Sequence, residues 1–532
     1  MALEATERPV ARGRIAMIVD TPVRGDSRVQ KAAYSAAEAG WEVTLLGRSP
    51  DRDRHEFDLG GARVELLPVA NTLARRRRAY RRSPLRQPLA YPPTGIANLR
   101  QQQMLAWRAD HRQRCAQLTV ALTEGPVRWA RSRRWALDVE LLLIRAVHRW
   151  VSIRSRQTRR LAQRHIAADT LADRVGARFW PAVRGTRSWR RIEPQLWEYE
   201  LAFGERLDRL RPDIIHANDF RMLGVGARAA LRARAGGRTV KLVWDAHEYL
   251  PGMRPWQNRP HWLAANCAHE REYAPYADAV VTVSEEIAAL LQRRHGLASR
   301  PTVVRNAPEL RSLAPAGEPP GDVRAACGLD AGTPLLVYSG VAAEQRGLDL
   351  MVDALPDLPG VHVALVVTLP EHPLLRRLRQ RAERAGAGDR LHVLPIVAHW
   401  DVVRFLATAD IGVSPIQRWP NYDMALSTKF YEYSQARLPI VSSDVRTAAQ
   451  TIRATGQGEV FAAGDREAYV RAVRAVLADP ARYRAAYERP GLLDDWTWQA
   501  QARVLDQVYT RLLPATTTVG APRARSVTAS VN

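Results

Sequence analysis

Lysine is almost missing from this chain: Lys31, Lys241 and Lys429 stand against 76 arginines, so its positive charge is carried by guanidinium groups. Part of the arginine count therefore reflects a compositional bias before it reflects chemistry. Cysteine is as scarce. Cys115, Cys267 and Cys327 are odd in number and far apart, which excludes a disulfide framework and zinc-ligand spacing and suits a reducing compartment. The opening residues, Met1 to Arg14, lack the apolar stretch a secretory leader needs. Long hydrophobic runs are missing too: the best candidate, Trp135 to Ile153, is interrupted by Asp138, Glu140, Arg145, His148 and Arg149. These absences predict a cytoplasmic chain that does not span a membrane.

What is present is ample for folding. With 532 residues, 46% hydrophobic and 25% charged, the chain has the content for two or three domains with their own cores, and is neither fibrous nor low in complexity. The net charge of +24 is concentrated. Between Asn71 and Gln195 there are 28 arginines and seven acidic residues, a local excess of +21.

Apolar periodicity gives the layout. Arg14 to Asp20 reads as a strand, Ser27 to Gly40 as a helix, and Trp41 to Gly47 and Ala62 to Val69 as further strands. The alternation breaks at Asn71 and resumes at Arg211 to Ala217, continuing through Thr239 to Asp245, Ala279 to Val283 and Thr302 to Val304. The interval reads as a basic, mainly helical insertion lying outside the core sheet. Leu313 to Gly321 has linker composition, and a second series of strands follows near Leu335 to Tyr338, His362 to Val367, Leu391 to Pro395, Ile411 to Ser414 and Ile440 to Ser442. The expected division is 12–310 for a first domain with its insertion at 71–195, 311–493 for a second, 494–513 for a C-terminal helix and 514–532 for a disordered tail. Both domains read as α/β units with parallel sheets covered on both faces.

The sharpest local signal is Ser427 to Asp444, STKFYEYSQARLPIVSSD, a helix of about Leu426 to Ala436 followed by a buried strand. A helix N-terminus offers unpaired amides and partial positive charge suited to a diphosphate, which Ser427, Thr428 and Lys429 would meet. Glu432, a turn further on, has the place of an acceptor for two ribose hydroxyls.

That segment resembles the donor-binding signature of family 4 of the retaining glycosyltransferases, whose two facing Rossmann-like domains are called the GT-B architecture. The remaining motifs fall in that family's order: VDTPVRGDSRVQKAA at Val19 to Ala33, PDIIHANDF at Pro212 to Phe220, DAHEYLPG at Asp245 to Gly252, VTVSEEIAALL at Val281 to Leu291, VVRNAPE at Val303 to Glu309, YSGVAAEQRGLDLMVDAL at Tyr338 to Leu355 and ADIGVSP at Ala409 to Pro415. The resemblance covers both domains but not the insertion. It implies transfer of a sugar from a UDP-, GDP- or dTDP-sugar to an acceptor hydroxyl with retention, with no metal and no cofactor beyond the sugar nucleotide itself. By the same resemblance Gly340 and Gly347 shape the donor site, Arg346 stabilises the leaving diphosphate, and His247 approaches the donor sugar. Asp26, Arg28, His216, Asp219, Asp245 and Glu248 belong to the acceptor-side wall, with Arg28 the strongest of the first-loop residues.

Two positions depart from the family pattern. Val341 stands where many relatives place a second cation, a charge that Lys429 would supply from the other side of the diphosphate. Met424 stands where many carry a glutamate that contacts the transferred sugar, with Asp423 as the candidate substitute. These departures leave open a protein that binds donor without turning it over, and a nucleotide-sugar epimerase shares the two-domain form although the motif order favours transfer. The arginine-rich insertion, with Trp107, Trp129, Trp135, Trp150, Trp180 and Trp189, suits an anionic membrane surface and so a peripheral enzyme of cell-envelope polysaccharide assembly acting on a sugar or lipid-linked acceptor. The alternatives are a solvated helical hairpin and a nucleic-acid-binding segment.

Overall fold

The computed structural model describes residues 12–70, 73, 88–92, 96–126, 128–166, 171–253, 260–311 and 321–513. Strands β1 (Arg14–Ile18), β2 (Glu42–Arg48), β3 (His55–Leu59), β4 (Ala62–Leu67), β5 (Ile214–Asn218), β6 (Lys241–Ala246), β7 (Ala279–Thr282) and β8 (Thr302–Val303) form one sheet in the order β3-β4-β2-β1-β5-β6-β7-β8. All of its pairs are parallel except β3 with β4. A second, wholly parallel sheet takes β9 (Leu335–Gly340), β10 (His362–Val367), β11 (Leu391–Pro395), β12 (Ile411–Ser414), β13 (Ile440–Ser443) and β14 (Gly458–Phe461) in the order β11-β10-β9-β12-β13-β14.

The inner strands are apolar on both faces because each sheet is covered on both sides. β5 is buried at all five positions, and β1 at all but its first. Each domain accordingly has two apolar layers, one per sheet face. In both sheets the strand order reverses at the central strand, between β1 and β5 and between β9 and β12, which opens a crevice beyond the strands' C-terminal ends.

β3 and β14 were not expected from the sequence. β3, HEFDL, is a half-exposed edge strand with two charged side chains, and β14 is a four-residue edge strand, so neither shows the apolar run of an inner strand.

Between β4 and β5 the described chain is mainly helical, beginning with α2 (Ile96–Glu124), α3 (Ala130–Ile166) and α4 (Leu171–Arg184) and ending with the helix Leu196–Leu210. α2 and α3 form a hairpin with a small core of its own, Met104 against Ile144 and Val151, as expected for helices outside the sheet. The end of this stretch differs from expectation. Trp189 and Ile192 are fully buried in the first-domain core beside Ala16 and Ile18, so the segment returns to the core before Gln195. Most of the arginine run opening the stretch, the linker up to Pro320 and the tail at 514–532 lie outside the described residues.

The helix Trp498–Leu512 packs on the first domain, with Trp498, Leu505, Val508 and Tyr509 in the layer that holds Ile15 and Val43. The two crossings between domains run side by side, joined by the Trp498 N–H donating to Pro308 O at 2.8 Å. Trp498 is buried, its Nε1 donates to Ser35 Oγ at 2.7 Å, and the Lys31 ammonium sits 4.8 Å from its ring centroid. Trp498→Ala should cost the first domain about 3–5 kcal/mol, read as an earlier unfolding transition in urea while the second domain's transition stays in place.

Candidate active site

The strand ends of the two sheets face one another across a cavity of about 810 Å3. Its first wall comes from the turn after β1 (Asp26, Ser27, Arg28), from His247 and Glu248 after β6, and from Asn306 after β8. The second wall is built from Gly340 and Val341 at the end of β9, Arg346, and the start of the helix Thr428–Gln435.

Local geometry explains why these residues stand there. Asp26 caps the helix α1 (Ser27–Glu38), its Oδ1 accepting from Val29 N, which turns the chain away from β1 at the rim. Gly340 has φ +137°, a conformation that favours glycine, and a Cβ there would stand 3.5 Å from the Lys429 Nζ. Gly347 has φ +68°, and a Cβ on it would strike the Pro415 carbonyl oxygen at 2.0 Å. Gly347 therefore sets the backbone behind Arg346 and does not line the cavity. Ser427 precedes the donor-side helix in extended conformation and makes no side-chain cap bond.

Electrostatics single out the second wall. Arg346 has its Nε buried with no hydrogen-bond partner and its guanidinium 5.1 Å from the Tyr422 ring centroid. Lys429, on the first turn of the helix, is buried 5.0 Å from the Tyr338 ring centroid. Burial, with the Arg346 charge added, lowers its pKa to about 7 against the pull of Glu432. Glu432 is itself pushed up by burial, opposed by Lys429 and Lys31. The Arg346 charge is thus felt at Lys429, with Glu432 as the opposing charge, and a bound anion would further favour the charged lysine.

On the first wall Arg28 is already engaged. Its guanidinium grips Asp245 in two bonds of 2.9 Å and donates to Val304 O at 2.8 Å. Arg28 is thus a buried ion-pair partner that also lines the cavity on its first wall. Asp245 and His216 lie behind the wall. His247 Nε2 and His216 Nε2 stand 3.3 and 3.5 Å from the same Asp245 Oδ2, and His216 Nδ1 meets the Tyr509 hydroxyl at 2.5 Å. Burial disfavours a charged His247, but the Asp245 carboxylate outweighs it and raises the pKa. Burial also pushes Glu248 up.

Asp219 and Asp423 do not line the cavity either. Asp219 holds Phe220 N at 2.7 Å, and burial and Asp20 push its carboxyl up to about 7. Asp423 accepts from Arg446 N at 2.8 Å and so caps the next helix, Arg446–Thr455, rather than replacing the glutamate that Met424 displaces. Met424 is buried as an apolar contact, its methyl 3.2 Å from where a Cβ on Gly252 would be.

Residues the sequence reading passed over tie the two walls together. Lys31 Nζ donates to Asn306 Oδ1 at 3.0 Å and Ala307 O at 2.5 Å, while Asn306 Nδ2 donates to Thr428 Oγ1 at 3.0 Å. Burial lowers Lys31 to about 7. The scarcity of lysine that marked Lys429 applied equally to Lys31. Tyr249 N also donates to Asn421 Oδ1 across the gap at 3.0 Å.

Comparison with known proteins gives two family matches: "Glycosyltransferase Family 4" over residues 155–310 and "Glycosyl transferases group 1" over 322–490. The lipopolysaccharide core biosynthesis mannosyltransferase LpsB of Rhizobium meliloti is 26% identical over 306 residues, 53% of this chain and 82% of that protein. A glycogen synthase of Anaeromyxobacter dehalogenans is 27% identical over 365 residues, 57% of this chain and 74% of that protein. Among solved structures, a sucrose-phosphate synthase from Thermosynechococcus elongatus superposes with a TM-score of 0.58 at 17% identity, covering 95% of this chain and 100% of that one. The nucleic-acid reading of the arginine-rich stretch is not favoured.

Lys429 sets a pH dependence. Burial holds the ammonium pKa at about 7, so a diphosphate that pairs with the charged form should bind with full affinity below that pH and more weakly above it as the proton is lost. Calorimetric titration with a nucleoside diphosphate between pH 7 and 9 should show affinity falling by up to about tenfold per pH unit, and Lys429→Gln should flatten that slope.

Proposed function

Since the chain belongs to the family 4 glycosyltransferases of the GT-B fold and transfers sugar from a nucleotide-sugar donor, we propose a specific division of labour across its cleft. The nucleoside diphosphate binds the second wall. Its phosphates lie between Arg346 and Lys429 at the amides of the helix Thr428–Gln435, and Glu432 accepts hydrogen bonds from the ribose hydroxyls. The observation that carries this is the pairing of a buried Lys429, its pKa lowered first by burial and then by the nearby Arg346 charge, with an Arg346 whose buried Nε has no hydrogen-bond partner.

The donor sugar then faces His247 and Glu248, and the acceptor hydroxyl enters along the first wall. As the glycosidic bond to phosphate breaks, negative charge grows on the leaving diphosphate. Arg346 and Lys429 are already in place to meet it, so no reorganisation is needed at that moment. Lys429 fills the place left by Val341, whose side chain is exposed at the cavity rim. In this reading the fixed cations carry the charge stabilisation without a metal and without a further cofactor, and transfer proceeds with retention at the anomeric carbon.

We place the acceptor among cell-envelope glycans, lipid-linked or polysaccharide, and the enzyme at the inner face of the cytoplasmic membrane. The similarity to a lipopolysaccharide core mannosyltransferase supports the acceptor class. No helix among the described residues is long and apolar enough to cross a membrane.

Thermal unfolding in the presence of UDP-, GDP- and dTDP-sugars tests the donor site. One base series should raise the transition, with a further increment of about 1.4 kcal/mol for each tenfold rise in concentration above saturation. Arg346→Ala should weaken that donor about 10- to 100-fold, as expected for losing a charged hydrogen-bond donor. Proton NMR of the transfer product should show the donor's anomeric configuration. Stabilisation by none of the three series would overturn the assignment of the cleft.

A further inference from the structure

The hairpin between β4 and β5 has one face with no protein partner among the described residues. α3 runs 37 residues, about 55 Å at the α-helical rise, and packs Ile144, Val147 and Val151 against Met104 and Trp107 of α2. On its opposite side it exposes Trp135, Val139, Leu142, Leu143, Trp150 and Ile153, with Trp135 69% and Leu142 62% accessible. Their separations of four, three, one, seven and three residues keep all six within about 100° of one another around the helix axis. An apolar stripe of this length and breadth is far more than the scattered exposed side chains of an ordinary surface.

The stripe has a charged edge. Arg131 and Arg149 are 18 residues apart, five turns, and so share one angular position beside Leu142, while Arg145 and Arg156 lie within about 40° of them. All four are exposed, and none forms an ion pair among the described residues. Glu140, by contrast, points inward, where it accepts from Trp107 and Arg114.

We propose that this outward face of α3 is the surface by which the enzyme lies on an anionic lipid bilayer, with the Trp135–Ile153 stripe in the headgroup–acyl boundary and the Arg131, Arg145, Arg149 and Arg156 row against lipid phosphates. The proposal deepens, and rests on, the reading of the protein as acting at the membrane. Two features select this occupant. A second copy of the chain would bring the same net charge of +24 and so offer no counterpart to the arginine row. A nucleic acid would satisfy the guanidinium groups but would leave valine, leucine and isoleucine without an apolar medium. A bilayer surface supplies both, and the charges along α3 keep it in the interface plane instead of across the membrane.

The structure also corrects which tryptophans take part. Trp135 and Trp150 belong to the stripe, and Trp129 is exposed just before the helix. Trp107 is turned into the hairpin, Trp180 packs on the first-domain core, and Trp189 is fully buried with its Nε1 donating to Glu272 at 2.6 Å.

Flotation of the full-length chain with vesicles tests this. Vesicles of phosphatidylcholine with 30% phosphatidylglycerol should carry the protein up the gradient, and pure phosphatidylcholine vesicles should carry at least about tenfold less. The triple substitution Trp135→Ser, Leu142→Ser and Trp150→Ser should abolish flotation, and Arg145→Glu with Arg149→Glu should weaken it by about fivefold or more per charge reversed. Both variants should keep the wild-type melting transition and its shift by the sugar nucleotide, which separates a failed docking surface from a failed fold or donor site. Undiminished flotation of the triple variant would overturn the face assigned here. So would a wild-type chain that floats with neither vesicle, one that sediments as a dimer which the triple variant dissociates, or one that binds DNA through the stripe.

Discussion

The architecture turns on one buried ion pair. Asp245, at the end of β6, holds both forks of the Arg28 guanidinium at 2.9 Å, and neither side chain is more than 4% exposed. Removing one partner of such a pair leaves an uncompensated charge in the interior, at a cost of about 3–5 kcal/mol. The pair clamps the start of α1 to the end of β6 and, through Val304 O, to the segment leaving β8. Its carboxylate also faces His216 and His247, and Tyr509 of the C-terminal helix closes the group from behind. Thus the helix Trp498–Leu512 sets the floor on which the cleft's histidine rests.

Facing this neutralised floor is a wall with surplus positive charge. The contrast gives the cleft its polarity: on one side cations are matched by Asp245, on the other Arg346 and Lys429 are held beside one another. Burial first, and the Arg346 charge second, lower the pKa of Lys429 against the pull of Glu432, so the second wall holds its charge at a desolvation cost. Fold stability elsewhere, in the four apolar layers over the two sheets, maintains that arrangement against its own repulsion.

The inner strands and the donor-side helix were legible in the sequence because burial on both sides of a parallel sheet leaves uninterrupted apolar runs, and because Lys429 and Glu432 sit on one helical turn. Edge strands β3 and β14 were not, since half-exposed short segments carry no such run. Within the site, sequence order separated what topology unites. Lys31, Asn306 and Thr428 are far apart in the chain, so their bridge across the cleft had no local signature. The protein partners of Arg28 and Asp423 were hidden for a related reason: a charged residue near a strand end looks the same whether its partner is a substrate or another group of the protein. Among the tryptophans of the basic segment, only the three-dimensional partners of Trp107, Trp180 and Trp189 distinguish a core indole from a surface one.

The placement of Trp498–Leu512 bears on the order in which the chain is made. The apolar layer of the first domain that contains Ile15 and Val43 is completed by side chains some 450 residues downstream. On a ribosome the second domain can therefore bury its own layers before the first has all of its residues, although the first emerges earlier. The first domain is sealed only after the second has emerged, and only then do His216 and Asp245 gain their Tyr509 neighbour. A nascent chain stalled anywhere before Trp498 exposes an unfinished amino-terminal half to chaperones and proteases, which ties competence of the cleft to translation through Leu512.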